Sequence, residues 1–317
     1  MNKLYDAITE IHDEYILDAE NATKKNLSFP WKSLVAVVLV VVLLAIPVHA
    51  ELVNGYISNL LAPLYGGSQT EIVDKIGVPI GAEAIVGDYK LTADAIIGDR
   101  YSFAIVYSLT RVDGTILDRD LCFQSLSNSY RTDSGAGVLS HELSEDGLTL
   151  HVVEQWTSPR KFLRRNASVC FSNLMKYTGD DYELIQEGNW NLEFVIRYED
   201  SSKEVSIKPF KVTDSSGDQY EIRSIVISPV GIHFDMTAPN NYNRDENWMP
   251  PYADFELSVI MEDDTIIEIN DRSMGSGGDL ESATHDADFG AFFDVPIELE
   301  KIKAIVICGT EVNIEIS

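Results

Sequence analysis

The residues that could do chemistry are few, and none of them completes a catalytic motif. His141-Glu142 begins like the H-E-x-x-H motif of zinc proteases, but Glu145 occupies the place of the second histidine. The sequence contains no G-x-S-x-G nucleophile elbow, no phosphate-binding loop and no dinucleotide fingerprint. We therefore predict that the protein is not an enzyme, that it uses no cofactor, and that it has no catalytic, cofactor-binding or metal site.

One acidic segment comes nearest to a cation site. It reads Asp286-Ala287-Asp288-Phe289-Gly290, with Glu281 and Asp294 nearby. The segment is too short and too poor in ligands for an EF-hand loop, although its carboxylates could gather a weak Ca²⁺. The simpler interpretation, and our expectation, is a solvated loop without metal.

The three cysteines are Cys122, Cys170 and Cys308. None has the C-x-x-C spacing of a structural zinc site. All three lie in apolar, strand-like surroundings, which predicts buried free thiols. A bridge between Cys122 and Cys170 is the alternative, because an exported protein is free to form disulfides.

A basic cluster interrupts the acidic chain between residues 160 and 165. Turn-forming residues flank it, which predicts the tip of a hairpin. Two interpretations are open: balancing of acidic neighbours, or contact with an anionic cell-wall polymer or bilayer surface. The candidate contact residues are Arg160, Lys161, Arg164 and Arg165.

The net charge of −27 limits the partners of the chain. Nucleic-acid binding depends on Lys and Arg meeting phosphates, so we predict no nucleic-acid partner. The same charge disfavours adhesion to anionic lipid. A solubilising surface is the plain interpretation, and a cation-binding surface is the alternative.

Residues 31–52 predict a transmembrane helix. Positions 34–46 contain only Leu, Val, Ala and Ile, and the flanks extend this core to the roughly 20 residues that a span requires. Lys24, Lys25 and Lys32 lie just before the apolar run at 34–46, which predicts a cytoplasmic N-terminus and extracytoplasmic C-terminal domains in a single-pass cell-membrane protein. A signal peptide cleaved after Ala50 is the alternative, but the long acidic leader argues against it.

The tail before the span, residues 1–30, contains an amphipathic helix. Leu4, Ile8, Ile11 and Tyr15 follow the i, i+4, i+7, i+11 spacing of one helix face. An isolated helix of this length is marginal in water, so the stripe predicts a partner in the cytoplasm. A frayed tail, or a helix resting on its own membrane, is the alternative.

The rest of the chain predicts an all-β extracytoplasmic part behind a short helical stem. Residues 53–76 have helical spacing broken by Gly66-Gly67. From Gly77 the apolar residues recur with period two, as in the alternation around Trp190, which we place in a core. Strands at this spacing predict two immunoglobulin-like β-sandwich domains, 77–200 and 201–317.

Several segments resemble a known family. They are the tail segments Tyr5-Asp6-Ala7-Ile8 and Ile11-His12-Asp13-Glu14-Tyr15-Ile16, the Trp31-Lys32 start of the anchor, Val78-Pro79-Ile80-Gly81, Leu91-Thr92-Ala93-Asp94-Ala95-Ile96-Ile97-Gly98-Asp99-Arg100-Tyr101, Val112-Asp113-Gly114-Thr115, and the strand pair from Ile225 to Phe234, which contains Ser228-Pro229. Together they resemble single-span membrane proteins of Firmicutes that carry the domain of unknown function 4179.

The resemblance implies a function that the residues alone do not. Members of that family often lie beside extracytoplasmic-function sigma factors and are regarded as anti-sigma or signalling proteins. For this chain, the resemblance implies a membrane-anchored envelope sensor whose inner helix binds a sigma factor or another cytoplasmic regulator. The alternative is a membrane-tethered binding or structural module without a signalling role.

Overall fold

The computed structural model describes residues 55–67, 70–130, 136–157, 165–239, 255–269, 272–276 and 284–314. They are mostly strand with few helices, so the all-β prediction is confirmed. The helices are α1 (Tyr56–Leu60), α2 (Ala62–Tyr65) and α3 (Thr70–Ile76), with a 3-10 turn at Leu299–Lys301. The first eight strands are β1 (Val78–Val86), β2 (Tyr89–Gly98), β3 (Ser102–Arg111), β4 (Leu121–Asn128), β5 (Ala136–Leu143), β6 (Thr149–Thr157), β7 (Arg165–Tyr177) and β8 (Tyr182–Ile196). The later strands are β9 (Lys203–Val205), β10 (Phe210–Thr213), β11 (Gln219–Ser228), β12 (Gly231–Pro239), β13 (Leu257–Met261), β14 (Ile266–Glu268), β15 (Arg272–Ser276), β16 (Thr284–Phe292), β17 (Ile302–Ile307) and β18 (Thr310–Asn313).

Strands β1 to β8 form the first sandwich. A five-stranded antiparallel sheet, ordered β1-β2-β3-β6-β5, faces a three-stranded sheet, ordered β4-β7-β8. Alternate residues of both sheets meet in one apolar cluster, where Tyr107 packs edge-on to Phe171 and Phe123 to Trp190. Trp190 is fully buried in this cluster, as its alternating pattern predicts.

Strands β9 to β18 form the second sandwich. A six-stranded sheet, β10-β11-β12-β16-β15 with β9 added beside β11, faces a four-stranded sheet, β14-β13-β17-β18. Its core is a separate apolar cluster in which Phe234 and Phe289 of the larger sheet meet Phe255. Each sandwich therefore has a core of its own.

The stem is helical as predicted, and it lies on the first sandwich. Asp74 of α3 accepts hydrogen bonds from the N–H groups of Gly55 and Ser58, at 2.6 and 2.7 Å, and so caps the start of α1. Gly77 lets the end of α3 approach α1, since a Cβ there would lie 2.5 Å from Ile57 Cγ2. The helices thereby form a compact cover for the outer face of the five-stranded sheet.

The expected loop at Asp286–Gly290 is wrong, because these residues form the centre of strand β16. This strand pairs with β12 on one side and β15 on the other. Asp and Gly are poor strand formers, so local propensity conceals the strand. The period-two signal is carried by Ala287, Phe289 and Ala291, which are all buried.

The hairpin tip expected at residues 160–165 lies mostly outside the described residues, and only the strands on either side of it are described. Strand β6 before it belongs to the five-stranded sheet and β7 after it to the three-stranded sheet, so the two strands are not partners.

The three cysteines are free and half-buried rather than fully buried. Cys122 pairs across β4 and β7 with Met175, whereas Cys170 pairs with Ser127. Five residues of strand separate Met175 from Cys170, which is about 17 Å at 3.4 Å per residue. A bridge requires Cα atoms within about 7 Å, so the Cys122–Cys170 alternative is excluded.

Several predictions lie outside the described residues. These are the amphipathic tail helix, the membrane span at 31–52 and the contact residues Arg160, Lys161 and Arg164. Among the residues that the structure does describe, no helix is both long and apolar enough to cross a membrane.

Candidate functional site

The β2–β3 turn of the first sandwich, Asp99-Arg100-Tyr101, is the centre of the contact with the second sandwich. The buried Asp99 carboxylate accepts hydrogen bonds from the N–H groups of Tyr101 and Ser102, both at 2.8 Å. Its other oxygen accepts the hydroxyl of the fully buried Ser228, at 2.7 Å, from the β11–β12 turn. Burial raises the pKa of Asp99, although these three donors oppose that effect. We call this contact region the joint.

Arg100 extends the joint to the linker between the sandwiches. Its guanidinium binds Asp200 Oδ2 and Glu204 Oε1, each at 2.9 Å. Asp200 in turn accepts the backbone N–H of Ser202 at 3.0 Å. One side chain of the first sandwich therefore fixes the path by which the chain enters the second.

Tyr101 completes the turn by stacking on His233 of strand β12. The ring centroids are 3.9 Å apart and the rings are nearly parallel, at 7°. Burial lowers the pKa of His233 to about 4, with Asp235 acting in the opposite direction. The imidazole is therefore neutral near pH 7 and packs as an aromatic ring.

Close packing elsewhere in the joint requires a glycine. A Cβ on Gly290 of β16 would lie 2.3 Å from Cγ2 of Thr157 at the end of β6. Thr157 is buried, and its hydroxyl lies 3.0 Å from that of Ser102. The two sandwiches thus meet along backbone as well as side chains.

The stem helices lie on both sandwiches at the joint. Apolar side chains of α1 to α3 form one cluster with the outer face of the five-stranded sheet and with Val230 and Phe292 of the second sandwich. The small residues Ala95 and Ala104 on that face let the helices approach. Tyr65 of α2 is buried in the cluster, and burial together with Asp99 raises the pKa of its phenol.

A cleft of about 880 Å³ opens beside the joint. Its walls are helix α3, the linker at 199–203 and the segment 297–300 of the second sandwich. Its lining includes the buried Ile76 and Leu299, and five acidic residues against two lysines. The cleft thus touches the stem, the linker and the second sandwich together.

A buried carboxylate in the first sandwich was not anticipated from the sequence. Glu154 on β6 accepts the hydroxyls of Tyr107 at 2.9 Å and Tyr130 at 2.5 Å, and the side-chain amide of Asn128 at 2.9 Å. All three donors come from the same sandwich, so the group braces its two sheets. In the sequence, the one sign of this buried group is a glutamate among the alternating apolar residues of β6.

A second polar group lies on the outer face of the five-stranded sheet. Ser108 donates to Asp94 at 2.5 Å, and its Oγ lies 3.4 Å from His151 Nδ1. Burial raises the pKa of Asp94 to about 6, opposed by the Ser108 hydrogen bond. Since serine stands between the acid and the histidine, the order differs from that of a nucleophilic triad, in which histidine is central.

The residues singled out from the sequence do not assemble into a site. His141 and Glu142 lie on strand β5, away from the joint. Arg223 binds both Asp286 and Asp235 of β12. Asp286 is therefore already paired with a cation of its own sheet. Arg165 begins strand β7. Among the described residues, no group of His, Cys, Asp and Glu is arranged to hold a metal ion.

Comparison with known proteins gives a fold relationship. No protein-family model matches the chain, and no curated protein matches it. A solved structure, the crystal structure of a conserved domain protein from Bacillus anthracis, is similar with a TM-score of 0.52 and 16% sequence identity. The match covers 73% of this chain and 76% of that one, so the chain shares its fold with the Bacillus anthracis conserved domain protein.

Proposed function

We propose that the protein is a membrane-anchored envelope sensor that signals through its cytoplasmic N-terminal helix. The observation that supports this most is the position of the stem, whose helices pack against both sandwiches at the joint. The stem directly follows the predicted span. A change in the fit between the sandwiches would therefore reach the residues next to the membrane.

The resemblance to the domain of unknown function 4179, the single-pass topology and a sigma factor as cytoplasmic partner belong to this proposal. So does the immunoglobulin-like character of the two sandwiches. The fold shared with the Bacillus anthracis conserved domain protein concerns the architecture alone and carries no activity of its own. The alternative is a membrane-tethered binding or structural module whose tail serves insertion alone.

The tail is tested with Ile8→Asp combined with Ile11→Asp. Each apolar side chain buried against a partner contributes roughly 1.5–3 kcal/mol, so the double change should abolish binding. The measurement is capture of the sigma factor encoded beside the gene, together with transcription from its promoter, at equal protein level. Glu10→Gln with Asp13→Asn on the polar face is the control. Equal capture and transcription in all variants would favour the tethered module.

The joint is tested separately in the same transcription assay. Arg100→Ala removes both ion pairs to the linker segment, whereas Arg111→Ala removes the pairs to Asp88 and Asp113 at the opposite end of the first sandwich. We expect altered transcription for Arg100→Ala alone. Unchanged transcription in both variants would exclude the joint as the route of the signal.

A further inference from the structure

The end of the first sandwich opposite the joint is formed by four loops. They connect β1 to β2, β3 to β4, β5 to β6 and β7 to β8, and all of them lie within the described residues. With their flanking residues they cover 87–88, 111–120, 144–148 and 176–184, which we call the distal tip. Strands of eight or more residues, at 3.3 Å per residue, place this tip roughly 25–30 Å from the joint.

Backbone hydrogen bonds tie the four loops to one another. The β3–β4 connection is central, since Val112 N–H donates to Asp88 O at 2.8 Å and Leu117 N–H donates to Gly147 O at 2.8 Å. The carbonyl of Asp120 accepts the N–H of Tyr177 at 2.9 Å. A surface held in this way is ordered before a partner arrives, which reduces the entropy lost on binding.

The distal tip exposes apolar side chains out of proportion to its size. Of the twelve exposed large apolar residues in the described part of the chain, six lie here, namely Val112, Ile116, Leu148, Tyr177, Tyr182 and Leu184. Ile116 is 69% exposed and Tyr182 57%. The rings of Tyr177 and Tyr182 lie 5.3 Å apart and form an aromatic pair. Clustered exposed apolar residues among polar ones are typical of an interaction surface.

The charges of the tip are strongly one-sided. Nine acidic and three basic residues leave a net charge of −6 across the four ranges. Two of the basic residues are already paired: Arg111 with Asp88 and Asp113, and Lys176 with Asp118. Acidic residues including Asp180 and Glu183 therefore surround the aromatic pair with uncompensated negative charge.

We propose that the distal tip is a docking surface for a basic, partly apolar polypeptide segment. The exposed tyrosines and aliphatic residues supply the apolar contact, and the acidic residues select Lys and Arg on the partner. The same charge repels an anionic polymer, an anionic membrane and the tip of a second copy. This inference stands apart from the proposed function, because a tip can bind whether or not the tail signals.

The test uses the full-length chain in detergent and a short labelled peptide of Lys, Arg, Leu and Trp. Binding is followed by fluorescence anisotropy at low and at physiological salt. Tyr182→Ser with Leu184→Ser should weaken binding at least about tenfold, as loss of a central contact does. Val138→Ser with Ile266→Ser is the control, since these residues are 56% and 62% exposed but lie away from the tip. Circular dichroism checks that both variants remain folded.

A second arm separates local charge from the overall acidity of the chain. Asp180→Asn with Glu183→Gln should weaken binding and reduce its salt dependence, whereas Glu256→Gln with Glu268→Gln removes the same charge from the second sandwich and should leave binding unchanged. Equal losses in tip and control variants would overturn the proposal. Tighter binding of a Gln-substituted peptide, a neutral polysaccharide or phosphatidylglycerol vesicles would also overturn it, as would dimerisation lost on changing the tip.

Discussion

The two ends of the first sandwich are built from the same strands but differ in what surrounds their loops. At the joint, Ser228 donates to Asp99 at 2.7 Å inside the protein. At the distal tip, Ser144 donates to Asp146 over the same 2.7 Å in solvent. The bond length is equal, yet burial raises the pKa of Asp99 while the bonds from Leu148 and Ser144 lower the pKa of Asp146. Burial therefore decides whether the same contact stabilises the fold or only orders a loop.

The largest difference is expected for a buried charge. Phe292→Asp places a carboxylate in the apolar cluster beneath the stem and should destabilise the protein by more than about 4 kcal/mol. Tyr182→Asp makes the same kind of change at the exposed tip and should leave the denaturation midpoint nearly unchanged. Urea titration monitored by circular dichroism measures both. Similar midpoints for the two variants would contradict the comparison.

A pH effect of intermediate size should come from the joint. The folded pKa of His233 is about 4 and its unfolded value is about 6.5, so only the unfolded state binds this proton between those values. Stability is therefore lost as the pH falls through that window, by about 3 kcal/mol in full. His233→Phe keeps the stack on Tyr101 and removes the loss, which is seen by comparing urea midpoints at pH 7 and pH 4.5.

Asp94 acts in the opposite direction over an overlapping window. Its folded pKa of about 6 lies above the ordinary 3.8, so stability is gained as the pH falls from 6 towards 4. Asp94→Asn should therefore steepen the acid destabilisation of the protein. The two variants must deviate from the native chain in opposite senses, and a shift in the same sense would refute one of the two assignments.

The smallest difference in stability is expected when the serine hydroxyl is removed at each of the two ends. Ser228→Ala removes the hydroxyl that donates to the buried Asp99 and accepts the N–H groups of Val230 and Gly231, at a cost of about 2 kcal/mol. Ser144→Ala removes the equivalent bond at the tip, where water replaces it, so we expect no measurable change. Thermal unfolding of the two variants side by side measures the difference. A loss for Ser144→Ala as large as that for Ser228→Ala would show that burial is not the deciding factor.

The strands with clear alternation could be predicted from the sequence, and the joint could not. Period two around Trp190 locates β8, and the Gly66-Gly67 break separates α2 from α3. Strand β16 was missed because its Asp and Gly residues disfavour strands locally, and pairing on both sides overrides that preference. The Gly98-Asp99 and Ser228-Pro229 segments each read as turns. Nothing local indicates that turns 129 residues apart meet.

The position of Phe292 also has a consequence for how the chain folds. The cluster that seats the stem contains residues from Ile57 to Phe292, so it closes only when nearly the whole described chain has been synthesised. Until then the stem and the sheet face at Ala95 and Ala104 pack without Val230 and Phe292, so the side of the cluster that faces the second sandwich stays exposed. Contacts of such long sequence separation form slowly, and exposed apolar surface favours aggregation. We therefore expect aggregation of the nascent chain to be strongest in the interval before β16 pairs.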